Sequence, residues 1–189
     1  MNPSRCSVLR QAWPVAVWVA IALTPHAYAA EQAADIKAAF VYNFAKFVEW
    51  PATAFTDPSS PLLLCTAGPR ALDGRLDQLS GREAQGHRIE VIDAATGNGT
   101  PDVSRCHLLF VPATDAAEQR KWLEAAAGKP VLTVSDVAAF DEQGGMIALF
   151  VERDRLKFAV NLGTLQAAEL KMSARILNLA TRVRQERRP

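Results

Sequence analysis

The sequence predicts an α/β fold: a single domain with a mostly parallel sheet flanked by helices, a C-terminal antiparallel hairpin and a long C-terminal helix. Three observations predict it. Short apolar runs alternate with helical patterns from Leu62 to Phe140, the sign of repeated βαβ units. Two further runs, 146–151 and 156–161, flank the polar Glu152-Arg153-Asp154-Arg155 and read as a hairpin. Then Leu165, Met172, Ile176, Leu179, Ala180 and Val183 recur at helical spacing over 162–184, with Glu169 and Ser173 interrupting the stripe.

Taken in order, the first element is a helix over 35–50. Ile36, Phe40, Phe44 and Phe47 fall within about 40° of one direction, while Tyr42, Lys46 and Glu49 point the opposite way. Pro51 ends it, because a residue before proline disfavours the helical region. Leu62–Thr66 is a buried strand, and Gly68-Pro69 turns the chain into a short helix over 71–79. Arg88–Ile92 alternates as a second strand, and 96–101 is a loop. His107–Val111 is uniformly apolar after its histidine and so central. A helix over 115–127 follows, capped by Thr114 and stopped by Gly128. Val131–Val134 is the fourth strand, and Ser135 caps a short helix over 136–140.

The chain has 189 residues, 49% hydrophobic and 22% charged, as expected of a globular protein. Residues 1–29 read as an export signal. Arg5 and Arg10 precede an apolar run from Trp13 to Leu23, and Ala27-Tyr28-Ala29 supplies a small-x-small cleavage pattern. The run is about half of the roughly 20 residues needed to span a bilayer. Cleavage after Ala29 leaves one domain over 30–189, in the bacterial periplasm. The signal holds two of the 21 basic side chains and none of the 20 acidic ones, so the domain carries 19 against 20. That balance gives no electrostatic reason to expect nucleic-acid binding.

Cys65 and Cys106 remain after export. An even pair in an oxidising compartment favours a structural disulfide over two buried thiols. Only His87 and His107 could assist a metal, and no ligand spacing supports one. The glycine after the first strand lies in Ala67-Gly68-Pro69-Arg70, which lacks a phosphate-binding pattern. No serine sits in a nucleophile elbow, His87 reads as a surface residue and His107 as a packed one. Neither an enzyme nor a cofactor is expected. Binding is better supplied. Trp50 can anchor a partner or pack on the sheet. Tyr42, Lys46 and Glu49 form a polar helix face, and Arg175 belongs to a similar face near the C-terminus. Glu169 amid an apolar stripe needs either a partner or a place beyond the core edge.

Several segments resemble one family. Ile36–Pro51, reading Ile-Lys-Ala-Ala-Phe-Val-Tyr-Asn-Phe-Ala-Lys-Phe-Val-Glu-Trp-Pro, resembles the opening motif of the YfiR-like (DUF4154) periplasmic proteins. Gln143-Gly144-Gly145-Met146-Ile147 is similar to the second motif of that family. Phe158–Asn161, Leu170–Ser173 and Leu177–Ala180 resemble its closing segments. Ala159 and Ala174 depart from the family pattern, where an acidic residue and a serine are common. The resemblance implies a compact α/β domain that forms a homodimer, with Cys65 and Cys106 matching one of the family's bridges. It also implies a repressor that binds the periplasmic sensor domain of a membrane-anchored diguanylate cyclase and lowers cyclic-di-GMP and biofilm formation. An outer-membrane lipoprotein would sequester it. Tyr42, Lys46, Glu49, Trp50, Glu169 and Arg175 are the candidate partner-binding residues. The alternative is a periplasmic small-ligand-binding module that feeds a membrane sensor.

Overall fold

The computed structural model describes residues 25–68, 71–95 and 101–185. The apolar run 13–23, most of the loop 96–101 and the tail residues Arg187 and Arg188 lie outside the described residues. In chain order the elements are α1 (Pro25–Phe47), β1 (Val48–Glu49), β2 (Leu62–Thr66), β3 (Glu83–Ala84), β4 (His87–Asp93), β5 (Leu108–Val111) and α2 (Ala116–Ala126). Then come β6 (Leu132–Ser135), β7 (Ile147–Glu152), β8 (Arg155–Asn161), α3 (Leu162–Ala167), β9 (Lys171–Met172), α4 (Ala174–Leu177) and β10 (Arg182–Arg184).

Eight of these strands form one sheet in the order β10-β8-β7-β6-β5-β2-β4-β3. The neighbours β4-β2-β5-β6-β7 run parallel, β8 returns antiparallel to β7, and β10 lies parallel to β8. The expected mostly parallel α/β sheet with a terminal hairpin is therefore the observed architecture. Alternation within the strands divides the core into two layers. Leu62, Leu64, Leu108, Phe110, Leu132 and Val134 face α1, together with Ile147, Leu149, Phe158 and Val160. Cys65, Leu109, Val111, Ala148 and Ala159 face the layer that holds Trp122 and Ala126 of α2.

Several boundaries differ from the sequence reading. The buried residues of α1 are the small-residue row Ala34, Ala38, Val41 and Ala45, about a third of a turn from the phenylalanine stripe, and Phe44 of that stripe, which is buried as expected. Ile36 is 44% exposed, and Phe40 and Phe47 are half-buried. Alanine and valine let the helix axis approach the sheet closely. The rings pack along its flank, where Phe40 and Phe44 meet Phe158 edge-on at 5.9 and 5.2 Å. The helix also stops at Phe47, before Trp50, because Gln85 reaches its end. The Gln85 amide donates to the carbonyls of Ala45 and Val48. Val48 and Glu49 then pair antiparallel with Met172 and Lys171.

The segment 71–79 forms two short 3-10 turns instead of a helix, with Leu72 and Asp73 at positive φ. Asp115, not Thr114, caps α2 by accepting from the amides of Ala117 and Glu118, both at 2.9 Å. Ser135 accepts from Val137 N at 3.2 Å, yet the residues after it form turns and no helix.

The long C-terminal helix is the largest correction. Its apolar spacing is real, and Leu165, Leu170, Met172 and Ile176 all enter the α1-side layer. They enter it from α3, β9 and α4 in turn, because the chain reverses at Glu169. There φ is +59°, and Leu170 N donates to Leu165 O at 3.1 Å. This is the closing pattern of a helix C-terminus, built on glutamate where glycine is usual. The end of the stretch is an edge strand. Arg182 and Arg184 belong to β10, and the Arg182 guanidinium holds Asp141 through contacts of 2.9 and 3.2 Å. Asp141 is fully buried, not solvated as a turn residue would be.

Candidate functional site

The candidate residues fall into separate places. Glu49, Trp50 and Glu169 come together around a groove of about 480 Å³, with Pro51, Gln166, Leu170 and Lys171 completing its lining. The β1–β9 pair builds it, setting Glu49 directly opposite Lys171. The helix-ending turn delivers Glu169, which is exposed at the rim. The turn thus answers the question raised by its sequence position: the carboxylate lies beyond the core edge. Nothing local in the sequence pairs residues 48–49 with 171–172, so Lys171 as a neighbour of Glu49 was not legible there.

Trp50 is half-buried and oriented. Its indole N–H donates to the carbonyl of His107 at 2.9 Å, fixing one edge of the ring while another lines the groove. A tryptophan held in this way presents apolar area with little conformational entropy left to lose.

His107 in turn organises the strap from Pro51 to Pro61. Its Nδ1 accepts from Leu63 N at 3.0 Å, so the proton sits on Nε2, which donates to Ala54 O at 3.0 Å. Phe55 lies between two imidazoles, 4.4 Å from His107 and 3.9 Å from His87, its ring nearly parallel to the latter. His87 Nδ1 is 2.7 Å from Ser60 O. The sequence reading of His107 as a packed residue agrees with its 6% exposure, whereas His87 is half-buried and bonded. Burial pushes the His107 pKa below its ordinary value, against a smaller upward effect of Ala54 O, and nearby His87 adds to the lowering.

Tyr42 and Lys46 form a second cluster. The Tyr42 hydroxyl donates to Glu83 O at 3.0 Å. Its ring centre lies 4.3 Å from the Arg82 guanidinium and 5.5 Å from the Lys46 ammonium, an aromatic plate that meets two cations. Arg82 was not singled out in the sequence, since only the fold brings the 79–84 turn beside α1. Arg175 is exposed on α4 and lines neither place.

Cys65 and Cys106 are disulfide-bonded, with Cα atoms 5.8 Å apart. Fold, bridge and groove define a class: a cross-linked parallel α/β domain with a tryptophan-lined surface groove. The family follows from the chain itself. It belongs to the YfiR/HmsC-like family (DUF4154), whose model matches residues 34–181, from α1 to the residue before β10. Membership implies a periplasmic regulator of diguanylate cyclase signalling.

Proposed function

We propose that the exported chain, residues 30–189, is a periplasmic repressor without enzymatic activity. It binds the sensor domain of a membrane-anchored diguanylate cyclase and favours its inactive state, lowering cyclic-di-GMP and biofilm formation. The observation that carries this reading is the family match across nearly the whole domain. The groove supports it with suitable surface chemistry: an oriented Trp50 flanked by Glu49, Glu169 and Lys171. Binding one cyclase state about a hundredfold more tightly, roughly 2.7 kcal/mol, suffices to shift its equilibrium by that factor. The chain acts as a homodimer, and an outer-membrane lipoprotein sequesters it to relieve repression.

Capture by periplasmic domains of membrane cyclases tests this, with cyclic-di-GMP measured in cells with and without the chain. Capture and a lower nucleotide level in its presence are expected. A Trp50→Ala, Glu169→Arg variant weakens capture at least tenfold while still folding. Failure of capture together with an unchanged nucleotide level overturns the reading. N-terminal sequencing of the exported protein checks cleavage after Ala29.

A second reading, a ligand-binding module feeding a membrane sensor, has an observation in its favour: a separate, partly open hollow beside the strap.

A further inference from the structure

That hollow measures about 380 Å³ and opens between the strap, the turn 103–107 and the segment 129–131. Its size lies at the small end of the roughly 300–1,000 Å³ of ligand pockets. It does not share Trp50, Glu49 or Glu169 with the groove described above.

Its walls are preformed. The strap side is held by three contacts that converge on His107: Trp50 on His107 O, His107 on Ala54 O, and Phe55 stacked between His107 and His87. The opposite side is tied down by the Cys65–Cys106 bridge. A preformed wall lowers the ordering cost of taking up a ligand.

The lining has two chemistries. Leu63, Val103 and Val131 supply apolar lining, and Thr53 and Thr56 of the strap add hydroxyl-bearing residues, the Thr56 hydroxyl sharing a hydrogen bond with that of Ser60 at 2.7 Å. Two cations, Arg105 and Lys129, complete the lining. Lys129 Nζ donates to Ala125 O at 2.7 Å, leaving two of its three protons for other acceptors. Arg105 makes no ion pair among the described residues. The nearby acid, Asp102, is engaged by Ser104, whose amide and hydroxyl donate to it at 3.1 and 2.7 Å. Those bonds hold the Asp102 carboxyl below its usual range, and the fields of Lys129 and Arg105 act in the same direction. Both cations line the same hollow. His107 adds no charge there while both of its nitrogens are bonded to backbone.

We propose that this hollow binds a small organic acid, an apolar body of about the size of benzoate whose single carboxylate is paired by Arg105 and Lys129. The apolar lining takes the body and the strap hydroxyls donate to the carboxylate edge. Binding here requires no cyclase, so its failure leaves the repressor reading standing, and the reverse also holds.

The test uses sodium benzoate as the probe, its neutral isostere benzamide, and sodium chloride as the ionic-strength control, with the exported chain observed by amide NMR. Saturable shifts confined to residues 53–63, 103–107 and 129–131 are expected with benzoate. Benzamide binds at least tenfold more weakly, and chloride produces no saturable shift. In an Arg105→Gln, Lys129→Gln variant the preference for benzoate over benzamide falls below twofold. Both side chains are on exposed residues, so the variant folds, which its unchanged Tm verifies. Absence of saturable shifts, shifts centred elsewhere, equal binding of the neutral isostere, or full preference in the variant each overturn the proposal.

Discussion

Single atoms explain why two motif positions are what they are. An added Cβ at Gly145 would stand 2.2 Å from two ring carbons of Phe140, a buried side chain with no room to retreat. The turn 140–145 closes through Gly145 N on Phe140 O at 2.9 Å, so ring and glycine must stay together. Gly145→Ala is expected to cost about 3 kcal/mol by overpacking. In urea unfolding, Phe140→Ala should cancel part of that loss when the two are combined, since the positions touch. Asn161 is the second case. Its Nδ2 donates to Asp141 O at 3.0 Å while its Oδ1 caps α3 at Thr164 N, so one amide joins the turn to the helix. His107 gives a prediction in pH. The unfolded imidazole titrates near 6.5 and the folded one lower. Below about 6.5 the unfolded chain therefore binds more protons, so the stability from neutral His107 is complete above that pH and is lost as pH falls toward the folded value. Tm should hold steady from pH 8 to 7 and decline between 6.5 and 5. His107→Gln can accept from Leu63 N and donate to Ala54 O without titrating, and this variant should flatten the decline. A slope unchanged in the variant would show that other groups carry it.

Larger units show where sequence patterns inform and where they mislead. The strands were legible because each is a short apolar run bounded by turn residues, and the boundaries of all six expected strands moved by at most one residue. The face of α1 was not. Phenylalanine dominates any hydrophobicity-weighted stripe, but the sheet selects the row of alanines and valines that permits close approach. The C-terminal stretch misled for a different reason. Its buried residues recur near helical spacing because α3, β9 and α4 each turn one or two side chains toward the same layer. The local warnings were Ser173 and, above all, Glu169, an acid inside an apolar stripe. The same residue now carries strain: a glutamate at φ +59° occupies a position that glycine adopts freely. Strain of this kind at the rim of a groove fits a residue retained for binding. Glu169→Gly should raise stability by about 0.5 kcal/mol, the relief of strain being partly offset by the looser unfolded chain. The same variant should weaken capture of a cyclase sensor domain. Gain in Tm with capture unchanged would make Glu169 a structural accident of the turn.

The molecule as a whole places its candidate binding features at an unexpected end. In an open parallel sheet, ligands ordinarily enter where strand order reverses, at the carboxyl ends of the strands. Here the reversal is at β2, flanked by β4 and β5. Trp50, the strap and the small hollow instead gather around Leu63, His107 and Val131, at or just before the starts of β2, β5 and β6. That displacement gives the disulfide its importance. In the ladder, Cys65 lies opposite Leu109, three residues beyond Cys106. The turn closed by Cys106 N on Val103 O at 3.1 Å folds the second cysteine back to within 5.8 Å. The bridge thus anchors the 103–107 turn, and with it His107 and the strap, to the centre of the sheet. Its removal has two separable consequences. Releasing a loop of sequence separation 41 lowers global stability by about 4 kcal/mol in the chain-entropy account. Locally, amide exchange in 51–61 and 103–107 should accelerate more than in β6 or β7, whose ladders do not depend on the bridge. A Cys65→Ala, Cys106→Ala variant examined by urea unfolding and hydrogen exchange checks both. Uniform acceleration would mean that the bridge stabilises the domain without shaping its binding end, whereas exchange concentrated in the strap and the turn would tie the oxidised state directly to the surface that Trp50 presents.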